Sequence, residues 1–186
     1  LFRSREWYAQ NGIRLITGDP VAEIDRVQCR VRTSKGVTAD YDRLLITTGS
    51  NPFIIPVPGS DKKGVIGFRD IADVEAMLDA AGSYQSAVVI GGGLLGLEAA
   101  NGLMKQGMDV SVVHLLDTLM ERQLDRPASA LLKASLERRG MKFLMEAQTA
   151  EILGEDRVTG VRFADGSEVA ADLVVMAVGI RPNVEQ

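Results

Sequence analysis

Reactive and metal-binding side chains are scarce in this 186-residue chain, which has one cysteine, Cys29, and one histidine, His114. A lone cysteine excludes an intrachain disulfide framework, a CxxC redox pair and an all-cysteine metal cluster. A lone histidine leaves no Cys/His metal constellation, so no metal site is expected. No Ser-His-Asp set and no paired carboxylates emerge, and no catalytic residue is assigned. No apolar run reaches the length needed to cross a membrane. The formal charge of −4, with 21 Lys+Arg against 25 Asp+Glu, comes without the clustered cations that a nucleic-acid surface needs. Neither a membrane nor a nucleic acid is therefore an expected partner. No signal-peptide pattern opens the chain, which makes the cytoplasm the expected location. The first residues read as a helix entered partway, and the chain is expected to be a piece of a longer protein.

Glycine, by contrast, is well used. The segment SAVVIGGGLLGLEAANGLMKQG, residues 86–107, passes from an apolar strand through Gly91, Gly92, Gly93 and Gly96 into a helix. This is G-x-G-x-x-G in the strand–turn–helix setting that dinucleotide binding requires. Gly91 permits the tight turn, Gly93 lets backbone N–H groups approach a pyrophosphate, and Gly96 lets the helix lie close on the strand. With Leu94 and Leu95 between them, these residues would place an anion at the positive end of a helix. MDVSVVHLL supplies the next strand and completes a βαβ unit.

Other elements follow from local signals. Residues 3–11 read as a short helix stopped by Gly12, and IRLITG as a strand. An adjacent strand over 21–24 leads into a hairpin from Arg26 across Lys35-Gly36, with Cys29 a small strand side chain. A buried apolar strand is expected over 44–47, ending at Thr48-Gly49. The segment 51–59 is an extended connector because of Pro52, Pro56 and Pro58. Asp70 caps a helix carrying Val74, Met77 and Leu78 on one face. A further helix is predicted over 126–139, and a β-meander precedes the apolar strand that ends at Gly179.

The expected fold is therefore α/β, a Rossmann-like parallel sheet with an antiparallel β-meander, plus an incomplete part of a second such domain. Two domains are expected: 1–66, an incomplete segment of one dinucleotide-binding domain, and 67–186, most of another.

At the end of the strand after the glycines, about 20 residues on, an acid usually holds the ribose hydroxyls. Here that place is taken by His114, either as a ribose or adenine contact or as a strand-end histidine without a ligand role. Asp117 is an alternative acceptor. Arg122 comes several residues later and reads, with Asp125 and Arg126, as part of a solvated face, which tilts the expectation toward NADH over NADPH. Glu98 is placed in the first turn of the helix, where the dipole favours a carboxylate.

GGGLLGLEAA, with the paired strand endings TTGS and AVGIRPN, resembles the pyridine-nucleotide–flavin oxidoreductases that carry two dinucleotide-binding domains. In that family one domain holds FAD and the second, inserted into it, holds NAD(P)H. NPFIIPVPGSD, GFRDIADVEAML and LLDTLMERQLD are most similar to its nitrite-reducing branch. The resemblance implies that Gly91, Gly93 and Gly96 form the pyrophosphate loop, that Glu98 lies near the nicotinamide, and that NAD(P)H lies against Gly179. It also implies that Thr48 and Gly49 approach FAD, with Thr47 in place of the usual alanine. His114 departs from the acid of NADH users. The cysteines for siroheme and an iron–sulfur cluster would lie outside this chain, as would the rest of the polypeptide and a small subunit as partners. The implied activity is hydride transfer from NADH to FAD in nitrate assimilation, reducing nitrite to ammonia. A rubredoxin or ferredoxin reductase, an NADH oxidase, and a non-catalytic NAD(H)-binding redox sensor are the alternatives.

Overall fold

A computed structural model describes residues 3–184; the outermost parts of the two expected domains, residues 1–2 and 185–186, lie outside the described residues. The chain divides into two compact units, Leu1–Gly49 with Asn183–Gln186, and Ser50–Pro182. The segment 50–66, expected with the first domain, is thus part of the second unit.

In the first unit, α1 (Arg5–Gln10) starts at Ser4, whose hydroxyl accepts from the Trp7 N–H, and ends before Gly12 at φ +68°. β1 (Val21–Asp25), β2 (Arg30–Thr33) and β3 (Thr38–Asp40) form an antiparallel sheet. Cys29 is not a strand residue: it sits in the turn before β2 with φ 50° and is exposed. The cause is Asp25, whose carboxylate accepts from the N–H groups of Val27 and Gln28 and holds the chain in a side-chain-stabilised turn. The strands expected over 13–18 and 44–47 do not form either. Leu45 and Ile46 are 85% and 57% exposed. A strand is stable only against a neighbour, and no strand among the described residues pairs with these segments.

The second unit is built on a five-stranded sheet in the order β5 (Val65–Gly67), β12 (Leu173–Met176), β6 (Ser86–Ile90), β7 (Asp109–Val113), β8 (Lys142–Leu144). Every neighbouring pair is parallel. Its strands alternate between two cores. Ala87, Val89, Val110, Val112, Leu173 and Val175 face α2 (Ile71–Ala81) and α3 (Leu94–Lys105), where Met77, Leu97, Ala100 and Leu103 meet them. Val88, Ile90, Val113, Val174 and Met176 face the other way, onto Ile152, Val161 and Phe163. Those belong to the antiparallel meander of β9 (Thr149–Leu153), β10 (Gly160–Phe163) and β11 (Glu168–Ala170). With both faces covered, the strands must be apolar at every position, which is why SAVVI and LVVM lack polar alternation.

Asp70 caps α2 through the Asp73 N–H, and the Asp73 carboxylate returns to the Asp70 N–H, a complete capping box. Of the expected face of α2, Met77 is buried, whereas Val74 and Leu78 are exposed. α4 (Arg126–Glu137) begins with Asp125 accepting from the Ala128 N–H and a proline in its first turn. The connector at 51–59 contributes β4 (Ser50–Pro52), which pairs antiparallel with β13 (Ile180–Pro182). No helix among the described residues is long and apolar enough to cross a membrane.

The sheet is latched at the end where β6 and β12 begin. Asp172 Oδ2 accepts from the Ser86 hydroxyl at 2.7 Å and from the N–H groups of Ser86 and Gln85 at 3.0 and 3.3 Å. Arg157 donates to the Asp172 carbonyl and stacks on the Tyr84 ring at 3.8 Å. The Ser86 hydroxyl and N–H, with help from Gln85 and Arg157, hold the Asp172 carboxyl below the ordinary carboxylate range. Asp172→Ala is expected to cost about 1–3 kcal/mol at neutral pH. The carboxylate's contribution exists above the unfolded pKa of about 3.9 and disappears as the pH falls through the lowered folded value. Urea midpoints of the two proteins should therefore differ at pH 7 and converge in strong acid.

Candidate functional site

The chain leaves β6 through Gly91, at φ +122°, and enters α3 three residues later. A Cβ at Gly91 would lie 2.4 Å from the Ala177 carbonyl oxygen, and one at Gly96 only 1.9 Å from the Gly91 carbonyl oxygen. Neither position admits a side chain. Gly93 is different: its φ is −84° and a Cβ there would meet nothing within 4 Å. Folding does not require that glycine. Its want of a side chain leaves space instead, and the space is at the N-terminus of α3, where Gly93 supplies no side-chain cap. The N–H groups of Leu94, Leu95 and Gly96 have no intrahelical partner, and they carry the positive end of the helix dipole. An anion is the partner this terminus suits.

A cavity of about 620 Å³ opens there, lined by Gly91, Gly92, Gly93, Leu94 and Leu95 on one side and by Gly179 and Val178 on another. Gly179 stands at φ +121°, and a Cβ there would meet nothing within 4 Å. His114 also lines the cavity, together with Leu115, Glu121, Arg122 and Gln123. The third wall comes from Ile55 and Val57 and from Gln148 and Thr149. Thr149 Oγ1 is buried without a hydrogen-bond partner in the protein, so a polar group is left unsatisfied in the wall.

His114 is 8% exposed and both of its ring nitrogens are in use. Nδ1 accepts from the Gly92 N–H at 3.1 Å, and Nε2 lies 3.0 Å from the Thr118 carbonyl oxygen. A backbone N–H can only donate and a carbonyl can only accept. These partners therefore assign the neutral ring with its proton on Nε2. Glu121 Oε2 lies 3.4 Å from the same nitrogen.

Six of the expected site residues thus come together on the cavity: Gly91, Gly93, Leu94, Leu95, His114 and Gly179. Gly96 lies under the loop against Gly91. Glu98 is not in the first turn of the helix: α3 starts at Leu94, which puts Glu98 a full turn in, exposed and outside the cavity lining. The macrodipole does not account for it. Thr48 and Gly49 belong to the first unit, where Thr48 Oγ1 donates to the Asn183 carbonyl at 2.6 Å. Asp117 pairs with Arg126 at 2.8 Å and accepts from the Thr118 hydroxyl.

Four contributors escape the sequence pattern. Arg122, expected on a solvated face, lines the cavity. Gly92, the unconstrained position of the motif, has no room for a Cβ, which would lie 2.6 Å from Leu119 and 2.8 Å from the His114 ring. Its carbonyl accepts from the Met120 N–H. Three consecutive glycines are the available signal for that crowding. Gln148 and Thr149 come from the start of β9, where the meander begins, and nothing local marks them.

Comparison with known proteins agrees with this geometry. The pyridine nucleotide-disulphide oxidoreductase family matches residues 6–186. Nitrite reductase [NAD(P)H] of Bacillus subtilis is 57% identical over 178 residues, covering 96% of this chain and 22% of the relative. The assimilatory nitrate reductase electron transfer subunit of the same organism is 50% identical over 182 residues, covering 98% and 24%. Among solved structures, a ferredoxin reductase from Rhodopseudomonas palustris superposes with a TM-score of 0.93 at 31% identity, covering all of this chain and 46% of that one. The chain spans about a quarter of the length of these two curated relatives.

The glycines separate by experiment. Gly96→Ala is expected to destabilise the protein by about 1–3 kcal/mol, the cost of forcing a methyl into filled space. Gly93→Ser should leave thermal stability unchanged or raised, since serine is a better N-cap.

Proposed function

Since this chain belongs to the pyridine nucleotide-disulphide oxidoreductase family, we propose that it is the NAD(P)H-binding part of a flavin-dependent reductase. The observation that carries this reading is the uncapped N-terminus of α3 facing a cavity of dinucleotide size between Gly93 and Gly179. The pyrophosphate would be held by the free N–H groups at Leu94, Leu95 and Gly96, over the space left by Gly93. The nicotinamide half would lie against Gly179. When bound, NADH supplies a hydride and FAD accepts it; the chain's own residues bind and orient.

On this reading, the second unit, Ser50–Pro182, takes the place of the expected 67–186 as the NAD(P)H-binding domain, and the first unit, in place of 1–66, is a segment of the FAD-binding domain, with Thr48 and Gly49 toward FAD. The exposed Leu45 and Ile46 support that second assignment, because an apolar segment that reads as a strand has no strand to pair with among the described residues. Glu98 is placed near the nicotinamide by the family resemblance. NADH is favoured over NADPH, because Leu115 and Leu116 rather than an arginine or lysine follow His114 at the end of β7; Arg122 shares its stretch of the wall with Glu121.

The whole protein would reduce nitrite to ammonia in nitrate assimilation, passing electrons from FAD to an iron–sulfur cluster and siroheme held outside this chain, with a small subunit as a candidate partner. The 57% identity to a nitrite reductase supports this choice over a ferredoxin reductase or NADH oxidase. Mixed anaerobically with NADH, the full-length protein is expected to bleach its flavin. Gly93→Ser should raise the NADH concentration for half-maximal bleaching about tenfold or more, about 1.4 kcal/mol, without losing thermal stability. Bleaching with no dependence on Gly93 would remove the loop from the site, and NADH binding without bleaching would favour a redox sensor.

A further inference from the structure

The ring of His114 stands where a ribose-binding acid is expected, yet its two nitrogens are committed to the protein. Four tethers hold this residue. Its N–H donates to the carbonyl of Leu144, the last residue of β8, at 2.8 Å, and its carbonyl accepts from the N–H of Ala147, in the link to β9, at 3.0 Å. Nδ1 takes the Gly92 N–H and Nε2 reaches the Thr118 carbonyl. Gly92 is gripped from the same side at both of its polar groups, because its carbonyl accepts from Met120, a residue at φ 52° in the loop that follows His114. Leu119, fully buried, closes the packing over Gly92.

We propose that His114 is a positioning residue for the dinucleotide, acting through Gly92 rather than by touching the ribose. Its Nδ1 turns the Gly92 N–H away from the cavity and fixes the rotation of the 91–93 turn. That turn sets where the free N–H groups of α3 are aimed. Through Nε2 the same ring fixes the 115–120 loop, so the phosphate-facing and ribose-facing walls are held as one piece before any ligand arrives. Preorganisation of this kind increases affinity because the ligand need not order the loop.

A residue that acts through the loop has a signature that a ribose contact lacks. It changes the affinity for dinucleotides with and without a 2′-phosphate by one common factor. It is also sensitive to which ring nitrogen is replaced. Asparagine places Oδ1 at the same bond distance from the backbone as Nδ1 and can accept the Gly92 N–H. Glutamine places its amide nearer to Nε2 and serves Thr118 instead.

This inference rests on the dinucleotide reading of the cavity, and the experiment separates the two. NAD⁺ and NADP⁺, which leave the flavin oxidised, are titrated calorimetrically into the full-length protein and into His114→Leu, His114→Gln and His114→Asn, with urea unfolding of each. Leucine and glutamine are expected to weaken both nucleotides by the same factor, about tenfold, while asparagine returns both to within about threefold of the parent. Unfolding midpoints should not follow that order. Should the leucine protein fail to fold, the contrast between asparagine and glutamine carries the test. Asparagine as weak as glutamine, or a change in the ratio of the two affinities, would overturn the proposal. A parent protein that binds neither nucleotide would instead overturn the reading of the cavity.

Discussion

The carbonyl oxygen of Gly91 occupies the place where a side chain of Gly96 would begin, 1.9 Å from an ideal Cβ. Backbone is packed directly on backbone, with no side chain as spacer, and the path from β6 into α3 follows from that contact. It lets α3 press Leu97, Ala100 and Leu103 onto the sheet while its first turn stays beside the C-terminal end of the central strand β6. Were the two backbones farther apart, the helix terminus would be displaced from the cavity and its unpaired N–H groups would face solvent. The close approach thus links the core, a matter of stability, to the uncapped end of α3, where the proposed anion site lies.

The four glycines of this turn serve three distinct ends. Gly91 and Gly96 are demanded by the fold, Gly92 by the side chains of His114 and Leu119, and Gly93 by nothing in the protein. A position that folding leaves unconstrained and that nevertheless carries glycine, at a helix start with no cap, points outward to a ligand. The contrast lies within one turn of chain, so differences in local propensity do not explain it.

Patterns that depend on neighbours in sequence are legible: the strand–glycine–helix unit, the Asp70 cap and the meander, whereas Asp125, read as part of a solvated face, turns out to cap α4. The failures come where tertiary context decides. The apolar run at 44–47 reads as a buried strand, but burial is a property of the partners and the described residues provide none. Cys29 sits in a period-2 pattern, and a single carboxylate, Asp25, outweighs it by capturing two N–H groups. Glu98 reads one turn too early because the helix start depends on where Gly93 ends the loop. At the site, His114 and the glycines are visible, whereas Arg122, Gln148 and Thr149 reach the cavity only because the sheet order brings their loops together.

β4 and β13 are paired, with Ser50 opposite Pro182. The chain therefore enters and leaves the second unit at nearly one point, about 5 Å apart across the ladder. To whatever polypeptide surrounds it, a unit of this kind is equivalent to a short loop, and its length adds little to the entropy of closing that loop. Such a module can be inserted, exchanged or removed with slight disturbance to its host. Changes at its cavity can therefore accumulate separately from changes in the rest of the fold.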